Sequence, residues 1–298
     1  MKVWLLEKFK DFNSYTSNRF KEVSEDMNIE LKLVAPEEFD LIVTKKGEKS
    51  ILYNGDLVDL PDCLIPRIGT VTYYSLAIIR HFERLGVFIL NSSQSMETSK
   101  DKLATLQLLA SNNIPIPKTM LAKFPINISV IEKEFDYPLI IKTITGSQGK
   151  GVFLVEDENK LNDLATLVEI SKDPNINLIL QEFVSSSRGR DIRVIVIGGR
   201  VIGAMLRTAK GKNFKANYSA GGQVEPYTLN SVIEWLAIES TRLVGLDIAG
   251  VDILFDKDNN YKICEINSYP GFEGFEKATG LNVPEEIFNY INIRLENV

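Results

Sequence analysis

The segment Tyr261-Lys262-Ile263-Cys264-Glu265-Ile266-Asn267, read with Val251-Asp252-Ile253-Leu254 just upstream, decides how this chain folds. Both runs are apolar and β-prone, and Asp256-Lys257-Asp258-Asn259-Asn260 between them reads as a turn, so the pair predicts an antiparallel hairpin. Asp252 then falls opposite or nearly opposite Glu265. Side chains alternate along a strand, which predicts Glu265 and Asn267 on one face and Cys264 and Ile266 on the other. Three hard oxygen donors, Asp252, Glu265 and Asn267, converge as a magnesium ion requires. A lone Glu-x-Asn more often marks the wet face of a sheet, so the reading draws its weight from the rest of the chain.

Upstream, Leu139-Ile140-Ile141-Lys142 is followed by Thr143-Ile144-Thr145-Gly146-Ser147-Gln148-Gly149-Lys150-Gly151 and then by Val152-Phe153-Leu154-Val155. A lysine ending one strand, a glycine loop and a second strand make a hairpin whose backbone N–H groups could lie over a polyphosphate, with the Lys142 ammonium beside it. It is not a Walker A loop, because Gly149-Lys150-Gly151 runs into strand-forming residues instead of opening a helix. The protein-kinase set and the Rossmann fingerprint are also missing. Leu178-Ile179-Leu180-Gln181-Glu182-Phe183-Val184 reads as a strand whose end could meet an adenine edge. Arg188, Arg190, Arg193 and Arg207 gather with Asp191, and Lys210, Lys212 and Lys215 precede Asn217. Arg193 and Arg207 interrupt apolar strands and so need anionic partners more than the loop lysines do.

Composition narrows the chemistry. With 298 residues, 44% of them hydrophobic, the chain buries a sizeable core and divides into two or three subdomains. A formal charge of −6 argues against a broad nucleic-acid footprint. No long apolar run calls for a membrane, and the N-terminus reaches charge too soon for a signal peptide, which points to the cytoplasm. Cys63 and Cys264 sit in apolar segments and read as buried, reduced thiols. The single histidine, His81, lies in an amphipathic helix pattern and reads as structural, which leaves little room for a Ser-His-Asp or Cys-His mechanism.

The first ninety or so residues alternate strand and helix: Lys2 to Leu6, a helix from Ser14 to Met27, Ile29 to Val34, Cys63 to Ile65, a helix around Ser75 to Leu85, and Val87 to Leu90. This predicts an open, partly parallel α/β domain ending near Asn91. A helix from Ser99 to Ala110, with serine as its N-cap, comes next. From Pro138 onward strands dominate, joined by helices over Lys160–Ile170, Asn230–Gly245 and Pro284–Leu295, an α+β pattern with antiparallel sheets.

These residues, in this order and spacing, resemble the ATP-grasp superfamily and, within it, the RimK-type glutamate ligases. The resemblance runs through Leu64-Ile65-Pro66-Arg67-Ile68-Gly69-Thr70, Leu90-Asn91-Ser92, Ser99-Lys100-Asp101-Lys102-Leu103, the glycine loop, Gln181-Glu182-Phe183 and Arg190-Asp191-Ile192-Arg193. It continues through Ala249-Gly250-Val251-Asp252 and Glu265-Ile266-Asn267-Ser268-Tyr269-Pro270-Gly271 to the segment Phe272–Gly280. It implies an N-terminal pre-ATP-grasp domain over 1–98, a central lobe with a glycine-rich lid over 99–184 and a metal-bearing lobe over 185–298.

The resemblance also implies roles. Lys102 and Lys142 look like the lysines that grip ATP phosphates, together with the loop residues Gly146, Ser147, Gly149 and Gly151. Glu182 and Phe183 look like the adenine-reading strand, and Asp191 like the ribose contact. Lys215 and Asn217 take the place of a family Arg-Ser-Asn run, and a lysine there meets phosphate as a point charge without the two-toothed contact of arginine. Asp252, Glu265 and Asn267 look like ligands for Mg2+, as two ions with Mn2+ as substitute, and Lys142 and Arg207 would stabilise the transferring phosphoryl group. The implied reaction adds L-glutamate to a carboxylate acceptor, with the C-terminus of a ribosomal small-subunit protein ranked ahead of a cofactor, carrier protein or small peptide. Homotetramers are the implied assembly. An ATP-grasp kinase and a silent nucleotide-binding module stand as alternatives.

Overall fold

The computed structural model describes residues 1–45, 50–69, 72–144, 151–171, 177–211, 213–218 and 221–296. The N-terminal part contains β1 (Lys2–Leu6), α1 (Tyr15–Asp26), β2 (Glu30–Val34), β3 (Phe39–Leu41), β4 (Ile51–Tyr53), β5 (Asp56–Leu57), β6 (Cys63–Pro66), α2 (Tyr73–Arg84), β7 (Phe88–Ile89) and α3 (Ser93–Lys100). Four of these strands form a parallel sheet in the order β2-β1-β6-β7. Parallel strands need crossovers, and such sheets are covered on both faces, which explains the unbroken apolar run of β1. Val3 and Leu5 pack with Phe20 and Val23 of α1, whereas Trp4 and Leu6 pack with Ile78, Ile79 and Phe82 of α2. The small antiparallel sheet β3-β4-β5 was not legible in the sequence. His81 sits on α2 against the backbone of Ser50, in keeping with a structural residue.

The expected Ser99–Ala110 helix is two helices. α3 ends at Lys100, Asp101 turns extended at ψ 103, and α4 (Lys102–Ser111) begins anew. The Asp101 carboxylate accepts from the N–H groups of Leu103 (2.9 Å) and Ala104 (3.0 Å), and an anion at a helix N-terminus outcompetes the Ser99 hydroxyl as a cap. The break sets Lys102 at the first position of α4.

The central lobe follows as β8 (Thr119–Leu121), α5 (Ile128–Glu134), β9 (Leu139–Thr143), β10 (Val152–Val155), α6 (Glu158–Ser171) and β11 (Leu178–Glu182). Its antiparallel sheet runs β10-β9-β11-β8, and α5 and α6 cover one face through a core of its own that includes Ile131, Leu139, Ile141, Leu161 and Leu180. Lys142 is one residue on from Ile141 and therefore faces away from that core.

The last lobe comprises β12 (Arg190–Ile197), β13 (Arg200–Thr208), β14 (Gln223–Pro226), α7 (Ser231–Val244), β15 (Ile248–Phe255), β16 (Tyr261–Asn267), α8 (Glu273–Thr279) and α9 (Val283–Glu296). Its five-stranded antiparallel sheet has the order β14-β13-β12-β15-β16. Helix α7 starts on an Asn230 cap and stops at Gly245, whose φ of 77° suits glycine far better than any other residue. It covers one sheet face through Ile233, Leu236 and Ala237. Part of the other face, Ile195, Ile197, Met205 and Ile248, packs on α9 and on the parallel sheet, so the first and last parts of the chain share one core. Among the described residues no helix is long and apolar enough to cross a membrane.

Candidate active site

Strand alternation on β12, β13 and β15 sends Ile192, Val194, Ala204, Val251 and Ile253 toward α7. The residues between them, Asp191, Arg193, Arg207 and Asp252, therefore share the opposite face. Register makes them cross-strand partners: Asp191 lies opposite Arg207, and Arg193 opposite Asp252. Arg193 grips Asp252 with two parallel bonds, Nε to Oδ1 and Nη2 to Oδ2, both 2.7 Å. Arg207 spans both acids, with Nε 2.5 Å from Asp191 Oδ1 and Nη2 2.9 Å from Asp252 Oδ2.

The cluster is largely buried, and Arg207 is only 3% exposed. Burial pushes the Asp252 carboxyl up, but Arg193 and Arg207 together more than offset this and hold it below the ordinary range. Asp191 has the single guanidinium of Arg207 in contact, and burial leaves its carboxyl raised. Asp252 is therefore the firmly ionised member. Asp191, expected from the resemblance to be a ribose contact, lies in this ion-pair cluster against Arg207.

The hairpin puts Asp252 directly opposite Glu265 and Gly250 opposite Asn267. The expected strict alternation on β16 fails at one point. The register shifts between Asp252 and Ile253, and Cys264 is the extra residue of a bulge. Ile263 and Ile266, three apart, therefore both enter the α7 core. Cys264 joins Glu265 on the site face, where its thiol lies 3.8 Å from Lys142 Nζ. Burial pushes the Cys264 thiol up, against the pull of Lys142. Burial does the same to Cys63. Both cysteines are thus protonated near neutrality, and we expect the folded protein to react with iodoacetamide at least about tenfold more slowly than after unfolding, as read from intact mass. Equal rates would contradict this placement.

The three parts of the chain meet over this sheet. Lys102, at the start of α4, lies 3.3 Å from Glu265 Oε1, and Lys142 of β9 reaches Cys264 beside it. Glu182 takes an ion pair from Lys262 of β16 and accepts from the Lys118 N–H at 2.9 Å, so its carboxylate ties the end of β11 to both neighbours. Phe183 follows, half-buried, with the Arg188 guanidinium 5.7 Å from its ring centre. A cleft of ≈ 540 Å3 lined by Phe153, Arg188, Phe214 and Lys215, among others, opens between β10 and the segment 213–218. Lys215 lies over the Phe214 ring at 5.5 Å, and the Asn217 carbonyl accepts from Gly222 N–H at 3.2 Å. Gly151 closes the β9–β10 hairpin with φ 72°, its carbonyl accepting from Thr143 N–H. Gly146, Ser147 and Gly149 lie outside the described residues.

Gly222 holds the loop that presents Lys215 and Asn217. A Cβ there would lie 2.5 Å from the Ala216 carbonyl oxygen. We expect Gly222→Ala to displace this loop and lower kcat/KM for ATP by roughly 10- to 100-fold, measured by steady-state kinetics. Unchanged kinetics would separate the loop from nucleotide binding.

The donor set suits a hard divalent cation, with two carboxylates and an amide oxygen on facing strands. Among the described residues no group of three or more His, Cys, Asp and Glu side chains is arranged to hold a metal, and both Asp252 oxygens are held by Arg193 and Arg207. Three neighbours were not placed in the site from sequence. Arg193 had a signal, a charge inside an apolar strand, but its partner was not legible. Lys262 was given no role, and Cys264 was assigned to the wrong face because a one-residue bulge leaves no mark in the sequence pattern.

Comparison with known proteins bears on this arrangement. Residues 1–96 match the RimK PreATP-grasp domain and residues 99–291 the RimK-like ATP-grasp domain. A probable alpha-L-glutamate ligase of Rhodopirellula baltica is 36% identical over 284 residues, covering 95% of this chain and 69% of the relative. One from Legionella pneumophila is 36% identical over 279 residues, covering 93% and 91%. The solved structure of the ATP-grasp ligase PsnB complexed with minimal precursor, Mg and ADP superposes with a TM-score of 0.75 at 18% identity, over 99% of this chain and 98% of the other.

Proposed function

Because the chain belongs to the RimK-like ATP-grasp family, we propose that it is an ATP-dependent carboxylate–amine ligase that adds L-glutamate to the C-terminus of a ribosomal small-subunit protein. Relatives named probable alpha-L-glutamate ligase match it over nearly its whole length. The observation that carries the reading is the cross-strand pairing of Asp252 with Glu265, with Asn267 two residues on, Lys102 on Glu265 and Lys142 on Cys264 beside it. Asp252, Glu265 and Asn267 would hold Mg2+, as two ions that Mn2+ can replace. Bound there, the metal neutralises charge on the phosphate oxygens.

The chain's own residues supply the rest. Lys102 and Lys142 hold the phosphates. Phe183 and the cleft beside Lys215 and Asn217 receive the nucleoside. Lys142 and Arg207 provide fixed positive charge in a site where water is scarce, which lowers the cost of negative charge developing in the transition state. The acceptor carboxylate attacks the γ-phosphorus and ADP leaves. The glutamate amine then attacks the acyl carbon of the resulting acyl phosphate, and inorganic phosphate departs as the amide forms. No protein nucleophile is needed, in keeping with a chain whose only histidine lies on α2.

The test is ADP release with Mg-ATP, glutamate and a panel of acceptors that includes ribosomal small-subunit proteins, cofactors and peptides, with mass spectrometry of each acceptor. The reading predicts ADP only when both acceptor and glutamate are present, with a gain of one or more glutamyl units at a protein C-terminus. ADP formed without any amine would overturn the ligase in favour of a kinase, and a gain confined to a cofactor or peptide would overturn the ribosomal acceptor. Assembly as a homotetramer belongs to the same proposal and is read by light scattering.

A further inference from the structure

The open end of the metal hairpin is closed by a side chain from the parallel-sheet domain. The β15–β16 ladder ends at the pair Gly250–Asn267, and beyond it Ile248 has no strand partner on that side. Asn91, 2% exposed and placed just after β7, fills the position. Its Oδ1 accepts from the N–H groups of Asp247 (2.7 Å) and Ile248 (2.8 Å). Its Nδ2 donates to the carbonyls of Ile248 (2.8 Å) and Ser268 (2.9 Å).

All four hydrogen-bonding positions of the amide are used, and the partners fix its orientation, since two donors lie on one side and two acceptors on the other. Toward Ile248 the side chain behaves as a peptide group of an adjoining strand, donating and accepting at the same residue. Toward Ser268 it holds the carbonyl immediately after Asn267. A second buried side chain of the same domain grips the same segment: Arg67, 4% exposed, donates from Nη2 to the Pro270 carbonyl at 3.1 Å and stacks on Tyr269 with its guanidinium 4.1 Å from the ring centre.

We propose that Asn91 is a positioning residue for the divalent cation, holding β15 and the end of β16 at the spacing that lets Asp252, Glu265 and Asn267 act as one donor set, with Arg67 as its auxiliary. The N-terminal domain is thereby part of the metal site without touching the metal. Partners one shell out from a metal commonly govern affinity by 10- to 100-fold. The inference rests on the metal assignment above, and the test separates the two.

The experiment measures Mn2+ binding to the full-length protein by electron paramagnetic resonance in saturating ADP, and ADP binding without metal by calorimetry. The expected result is that Asn91→Ala and Asn91→Asp each weaken Mn2+ by about tenfold or more, with metal-free ADP affinity unchanged. Asp removes both donors while keeping size. Arg19→Met is the control, because Arg19 also joins the domains, through Glu276 and Asn282, but away from this segment. It should leave Mn2+ binding as in the wild type. Wild-type Mn2+ affinity in the Asn91 variants, with Glu265→Ala having lost it, overturns the positioning role. Failure of the wild type itself to bind Mn2+ overturns the metal assignment and this inference together. If the Asn91 variants do not fold, Arg67→Gln decides on the same criterion. A loss no greater than that of Arg19→Met would mean that general loosening of the domains, not the grip on this segment, is responsible.

Discussion

Glu265→Ala is expected to lower ligase turnover by about 10³-fold or more and to leave the protein folded. The magnitude follows from removing charge stabilisation that is realised at the transferring phosphoryl group in a site of low effective dielectric. The fold should survive because Glu265 sits at a bulge with a third of its side chain exposed, and among the described residues its salt bridge is to Lys102 alone. A partly exposed pair of that kind contributes within about 1 kcal/mol. Turnover is read by mass gain of the acceptor and folding by thermal melting. A variant that forms amide at the wild-type rate removes Glu265 from the chemistry.

Arg207→Met has the largest expected effect on stability. Among the described residues Arg207 is the only side chain bonded to both Asp191 and Asp252, and its removal leaves two buried carboxylates close together with one guanidinium, that of Arg193, committed to Asp252. Breaking a buried ion pair from one side costs about 3–5 kcal/mol, which for a chain of this size lowers Tm by roughly 5–15 °C. Asp191 is already raised by burial, and without Arg207 it rises further. A carboxyl whose folded pKa stands above its unfolded one loses folded-state stability as pH rises through that interval, so the deficit of Arg207→Met is full at neutral pH and shrinks as the solution is made acidic. Arg207→Lys restores a charge but not a planar fork spanning two acids, and should fall between the two. A methionine variant with wild-type Tm, or a deficit that grows on acidification, contradicts the ion-pair account.

Much of this site was legible because the fold places it on strands. The turn Asp256–Asn260 set Asp252 against Glu265, as the register has it, whereas the pairing of Asp191 with Arg207 and of Arg193 with Asp252 came only from the register of β12 with its neighbours. The parallel N-terminal sheet was readable from strand–helix alternation, and the antiparallel sheets beyond Pro138 from their run of short strands. Local competition defeated the pattern elsewhere. Asp101 won the helix cap from Ser99 because a carboxylate serves two backbone donors where a hydroxyl serves one less well. The Cys264 bulge reversed a face assignment, since one inserted residue shifts pairing without changing composition. Asn91 and Arg67 act over separations of 157 and 203 residues, and nothing in the local sequence announces a contact of that reach. The ion pair of Glu182 with Lys262, likewise, joins strands of two different lobes.

The central claim, amide formation through an activated carboxylate, is tested most directly with an acceptor whose carboxylate carries oxygen-18. Attack by that carboxylate on ATP makes one of its oxygens the bridge of the acyl phosphate, and the bridge leaves with phosphorus when the glutamate amine displaces it. The account predicts one labelled oxygen in inorganic phosphate for every amide formed, read by mass spectrometry of the phosphate together with the glutamylated acceptor. Amide accompanied by unlabelled phosphate, or ATP consumed with the label wholly retained in the acceptor, would contradict it.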